Sequence, residues 1–153
     1  MAMSEHFPYS ELQCHGTKCV ELWSNSAQAM VRANCKRNDT LQGLVNALEQ
    51  FRALVGKPVL VNDAFRCPVH NEEVGGAPHS EHMLGLAADI RIEGMAAADL
   101  ERVADQCPLI TAIGRADHQG YIHIDARALR PGQARVRWCY DTNGKQTNYY
   151  RPP

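Results

Sequence analysis

At 153 residues, with 44% hydrophobic and 22% charged side chains, the chain has the size and composition of one ordinary soluble domain. Sixteen basic against seventeen acidic residues leave a formal net charge of -1, and no dense Lys/Arg block supplies the footprint of a nucleic-acid or anionic-lipid binder. Apolar residues are spread through the sequence, which argues against disorder, and no apolar run approaches the roughly 20 residues that cross a bilayer.

Residues 1–39 read as an irregular N-terminal segment, with one helical turn opening at Ser10-Glu11-Leu12 and another over Ala27-Gln28-Ala29-Met30-Val31. The start, with Glu5, His6, Pro8 and Glu11, has neither the basic n-region nor the apolar stretch of a secretory signal. Export is therefore expected by a phage-type or other route, or through a signal outside this chain. Six cysteines would permit three disulfides in an oxidising compartment. Cys14, His15, Cys19 and Cys35 can also be read as a small zinc knot, but the short paired spacing of structural zinc sites occurs only once. A local disulfide or buried thiols is the preferred reading.

From Thr40 the pattern sharpens. Leu41, Leu44, Val45, Leu48, Phe51 and Val55 recur at three- and four-residue steps and predict an amphipathic helix, with Thr40 as N-cap and Gly56 and Pro58 as the stop. Val59-Leu60-Val61 predicts a buried strand. Residues 67–85 hold two Pro, three Gly and three His and predict a long loop, of the kind that carries function. A strand over 86–92, a helix over 95–106 and strands over 109–114, 121–126 and 135–140 follow. The order predicts one α+β domain, residues 1–153, with its catalytic core at 40–140. Its expected architecture is a small, mostly antiparallel sheet with helices on one side.

Two clusters carry chemistry. His82 and Asp89 flank Gly85, where the chain can turn back so that both converge on one ion. Asp89 stands between Ala88 and Ile90, and a carboxylate buried in an apolar strand needs a cation or donors. A salt bridge to Arg66 or Arg91 is the plainer alternative. In Tyr121-Ile122-His123-Ile124-Asp125, strand alternation puts the isoleucines on one face and Tyr121, His123 and Asp125 on the other. A His-Asp pair at a sheet surface would explain that face as well. Taken together, His82, Asp89 and His123 form the His, His, carboxylate set of a catalytic zinc with an open fourth position, for which hydrolysis is the natural reaction class.

Ser80-Glu81-His82-Met83-Leu84-Gly85-Leu86-Ala87-Ala88-Asp89 matches the S-x-H-x-x-G-x-A-x-D signature of the bacterial D-alanyl-D-alanine carboxypeptidase and L-alanyl-D-glutamate endopeptidase family of zinc peptidases. Phe65-Arg66-Cys67-Pro68-Val69-His70-Asn71 with Val74-Gly75-Gly76-Ala77 resembles the family's Arg-x-Pro-x-His-Asn and Val-Gly-Gly-Ala segment. Gly114 and Tyr121 to Arg127 resemble its closing Gly and His-x-Asp strand. The resemblance runs from about Leu41 to Trp138 and is loose before that.

It implies the hedgehog-like DD-peptidase fold and one Zn2+ per chain held by His82, Asp89 and His123. Arg66 would bind the substrate carbonyl or carboxylate. The implied function is hydrolysis of a peptidoglycan stem-peptide amide bond, as carboxypeptidase or endopeptidase, by a monomer acting in the periplasm or cell wall, in a phage endolysin role or in wall remodelling. Several relatives place an acidic general base three residues before the last His, where this chain has Gly120. Asp125 is the expected replacement, beside His123 on the strand, with Asp117 the competitor. Glu81 reads as a solvated charge. The alternative function is a non-catalytic zinc-containing wall-binding or phage structural module on the same scaffold.

Overall fold

The computed structural model describes residues 4–17 and 35–147; Cys19 and the turn expected over 27–31 lie outside them. A short α1 (Tyr9–Leu12) occurs where a turn was expected. The amphipathic segment forms α2 (Gln42–Val55), burying Leu44, Val45, Ala47, Leu48 and Phe51 and ending at Gly56. Thr40 is not its N-cap. That position is Leu41, without a side-chain cap, and the Thr40 hydroxyl donates instead to the Leu12 carbonyl at 3.4 Å, tying α1 to the start of α2.

The strand β1 (Leu60–Asp63) leads into a stretch expected to be loop throughout, whose first part is a helix, α3 (Pro68–Glu73). Pro68 suits a first turn, where its missing N–H costs nothing, and the Cys67 sulfur accepts from the His70 N–H. Then follow β2 (Ala87–Arg91), α4 (Ala97–Ala104), β3 (Ala112–Ala116), β4 (Tyr121–Asp125) and β5 (Val136–Tyr140). A two-residue β6 (Gln146–Thr147), not anticipated from the sequence, ends the described chain.

The strands form one sheet in the order β1-β2-β4-β3-β5-β6. It is mixed, where a mostly antiparallel sheet was expected. The chain leaves β4, passes β3 over residues 126–135 and adds β5 to β3's far edge, so β5 runs parallel to β3. The other neighbouring pairs are antiparallel.

One face of the sheet is apolar. Ile90, Ile113, Ile122 and Ile124 pack with Leu44, Leu48 and Phe51 of α2 and Leu100 and Ala104 of α4 in a single buried cluster, so burial drives both helices onto this face. A fully buried Glu101 on α4 pairs with Arg115 of β3 at 2.9 Å and Arg137 of β5 at 3.1 Å. That bridge fastens β5 and leaves its other face, with Trp138, turned toward a cleft.

Candidate metal centre

His82, Asp89 and His123 meet on the opposite face of the sheet. Asp89 and His123 are direct cross-strand partners on β2 and β4, and Cβ atoms at such positions lie about 5 Å apart. His82 reaches them from the turn that precedes β2. Gly85 makes that turn with φ 72°, and a Cβ there would come within 2.1 Å of the Asp39 carbonyl; a side chain at this position would be both strained and blocked.

The three ligand atoms form a near-regular triangle. His82 Nε2 lies 3.2 Å from His123 Nδ1 and 3.3 Å from Asp89 Oδ1, and His123 Nδ1 lies 3.2 Å from Asp89 Oδ1. Donors about 2.0 Å from a tetrahedral zinc stand about 3.3 Å apart. The donor set and its spacing therefore fit that ion.

The remaining ring nitrogens fix the orientation. His82 Nδ1 is 2.6 Å from the Ala64 carbonyl, and His123 Nε2 is 2.9 Å from Asp125 Oδ2. Both partners can only accept, so these nitrogens carry the protons and the converging nitrogens are left as ligands. Burial works against a charged His123, yet hydrogen bonds to Asp125 and Asp89 hold its pKa up to about 9. A cation replacing the Nδ1 proton meets the Asp89 carboxylate, while Asp125 stays on Nε2. Burial likewise opposes ionisation of Asp89, but His82 and His123 keep it far below the usual carboxylate range.

Asp89 makes no salt bridge to the arginines considered for it. Arg91 donates to Asn62 at 3.0 Å, and Arg66 Nε stands 3.4 Å from Asp63 while its terminal nitrogen donates to Ser80 at 3.3 Å. Ser80 also accepts from the His82 backbone N–H. The buried Arg66 Nε has no hydrogen-bond acceptor, and Arg66 lines the same cavity of about 500 Å³ as the three ligands.

Asp125 is placed differently from the position expected of a proton shuttle. It is fully buried and touches the His123 nitrogen that faces away from the other two ligands. Arg127 grips it through Nε at 2.8 Å and a terminal nitrogen at 2.6 Å. Burial raises its pKa, and the Arg127 and His123 hydrogen bonds outweigh that and lower it to about 2, which makes it a poor base. Asp117 is half-exposed, pairs with Arg115 at 3.0 Å and does not line the cavity. Glu81 does line it, and among the described residues it is the only lining carboxylate besides Asp89.

Sequence reasoning gave no role to Trp138 or Arg127. The Trp138 ring centroid lies 5.0 Å from that of His123, and Arg127 Cζ sits 5.5 Å from the centre of the indole. Gly114 makes room for the indole: a Cβ there would fall 2.4 Å from it. The Asp125-x-Arg127 spacing was visible, but not that the two pair. His79 lines the cavity, whereas His6 pairs with Glu49 at 2.7 Å, far along the chain from the ligands.

A stretch of 85 residues is 35% identical to the zinc D-Ala-D-Ala carboxypeptidase of Streptomyces albus G, covering 56% of this chain and 31% of that relative. The match thus spans about a third of the relative's length. Residues 5–125, which contain all three converging ligands, match the Peptidase M15 family, and the chain belongs to that family.

Proposed function

We propose that this chain is a zinc peptidase that hydrolyses an amide bond in peptidoglycan stem peptides, at the bacterial wall, with His82, Asp89 and His123 holding the metal. The observation that carries the reading is the ligand triangle, with edges of 3.2 to 3.3 Å, together with the two outward ring nitrogens committed to Ala64 and Asp125. Zinc supplies a Lewis acid that polarises a carbonyl and lowers the pKa of water.

The side chains do the rest. Arg66, which lines the cavity, binds the substrate's carbonyl or terminal carboxylate and meets the oxyanion that develops at the scissile carbonyl. Glu81 takes the proton from the attacking water and returns it to the leaving amine. Asp125 and Arg127 do not exchange protons with substrate; they hold His123 in orientation. A guanidinium poised for a terminal carboxylate, and the name of the Streptomyces relative, favour the carboxypeptidase over the endopeptidase reaction.

The non-catalytic alternative draws on one observation, the Gly120 that stands where several relatives carry an acid. Mass spectrometry of a peptidoglycan digest tests both readings. Loss of a terminal D-alanine is expected from the native chain, and none from His82→Ala or Asp89→Ala, each of which should also lose the catalytic zinc. An internal cut would make the chain an endopeptidase; an unaltered digest with zinc in place would leave the non-catalytic module.

A further inference from the structure

The family match ends at residue 125, but the cavity continues past it. Its far side is built by β5, β6 and the turn between them, through Trp138, Tyr140 and Lys145. Small residues on β3 shape what lies between. Gly114 has His123 of β4 on one side and Trp138 of β5 on the other, with the two rings 5.0 Å apart, centre to centre. Ala116 is opposite Tyr121 of β4, and Tyr140 lies one residue past the Arg115–Cys139 pair on β5. The Tyr121 and Tyr140 ring centres are 6.2 Å apart. Without bulk on β3, aromatic rings from both neighbours close over that strand and form a floor from the ligands toward the β5–β6 edge.

Lys145 stands at the end of this floor, on a turn with a fixed shape. Gly144 has φ 75°, and one Asp141 carboxylate oxygen accepts from the Asn143 N–H at 2.9 Å and the Lys145 N–H at 2.8 Å. The Asp141 N–H donates to the Lys145 carbonyl at 2.9 Å. Among the described residues no carboxylate pairs with the Lys145 ammonium. The cavity's other cations are engaged, Arg66 with Asp63 and Arg127 with Asp125.

We infer that Lys145 is a specificity-determining residue, binding a second carboxylate of the substrate on the acyl side of the scissile bond. This role rests on the peptidase reading above and names a feature of its substrate. Arg66 follows β1 at one edge of the sheet, the ligands of β2 and β4 lie inward, and β5 and β6 form the other edge. A peptide with its terminal carboxylate at Arg66 and its scissile carbonyl at the ligands therefore extends its acyl part over the aromatic floor toward Lys145. From β4 to β5 is two strand spacings, about 10 Å, which an extended peptide covers in about three residues. A carboxylate at that point meets a cation with no competing partner, whereas the corresponding amide gains no ion pair.

The test uses two stem peptides ending in D-Ala-D-Ala, with all amines acetylated, whose third residue before the scissile bond is γ-linked D-glutamate as free acid or as amide. Calorimetry measures their binding to the zinc-loaded full chain carrying Glu81→Gln, alone and together with Lys145→Ala, Lys145→Arg or Lys145→Glu. The acid should bind about tenfold more tightly than the amide, between the effect of an exposed ion pair and that of a buried charge-assisted hydrogen bond. That gap should vanish in Lys145→Ala, persist in Lys145→Arg and reverse in Lys145→Glu. Cleavage by the native chain is scored separately: peptides that show the gap but stay intact would sink the hydrolytic reading and keep the carboxylate site. Equal binding of acid and amide, a gap that survives Lys145→Ala, or no binding of either peptide would overturn the role given to Lys145.

Discussion

Asp125 stands behind His123 while Glu81 lines the cavity, and the proton transfer proposed for this site therefore passes to Glu81. Strand alternation aims Asp125 at the same face as His123, as expected, but the alternation does not say which ring nitrogen it meets. It meets Nε2, and Arg127 takes up both its oxygens. Asp125→Asn should therefore weaken zinc binding about 10- to 100-fold, the usual effect of removing a carboxylate behind a metal-bound imidazole, and turnover should recover in excess zinc. Glu81→Gln should keep its zinc and lose about 100- to 10,000-fold in rate, while Asp117→Asn should behave as native. Metal-saturated assays on purified peptidoglycan check all three together; a dead, zinc-replete Asp125→Asn beside an active Glu81→Gln would return the shuttle to the strand. Arg66→Ala should likewise hold zinc and lose turnover, and Arg66→Lys should restore little because an ammonium lacks the planar fork.

The elements that position these residues were legible to different degrees. The three- and four-residue recurrence of α2 and the alternation of β4 identify both from sequence, because each buries one face against the same core. The ligand-bearing turn was legible through Gly85, which only an unbranched backbone can occupy. α3 was hidden by the loop-like composition around it, and β5's place beside β3 was hidden because parallel neighbours are chosen by where a connection crosses, not by a local pattern. That placement seats Trp138 over Gly114. Gly114→Ala would drive a methyl into the indole, at a cost of about 1 to 3 kcal/mol if the ring moves to relieve it. Thermal unfolding and tryptophan emission should both shift in this variant, and unchanged values in both would show that the indole is not seated on this strand.

Across the whole molecule, the sheet separates two tasks. Its apolar face binds α2 and α4 and supplies stability; its other face presents His123 and Asp89 to the cleft, with the His82 turn closing over them. The converging ligand set was legible in the sequence because its members lie in two short motifs. Of the cysteines considered together from the sequence, Cys14 and Cys35 do meet, joined by Cys67 from farther along the chain, which no local spacing announces; Cys19 lies outside the described residues. No helix among the described residues is long and apolar enough to cross a membrane. The central claim is that zinc is held by His82 Nε2, Asp89 Oδ1 and His123 Nδ1, and an anomalous difference map collected at the zinc edge from crystals of the zinc-loaded chain tests it most directly. The account predicts a peak about 2.0 Å from each of those three atoms, with Asp125 outside the coordination sphere. A zinc-loaded, peptidoglycan-cleaving chain whose map shows no peak there, or a peak bound through Asp125, would contradict it.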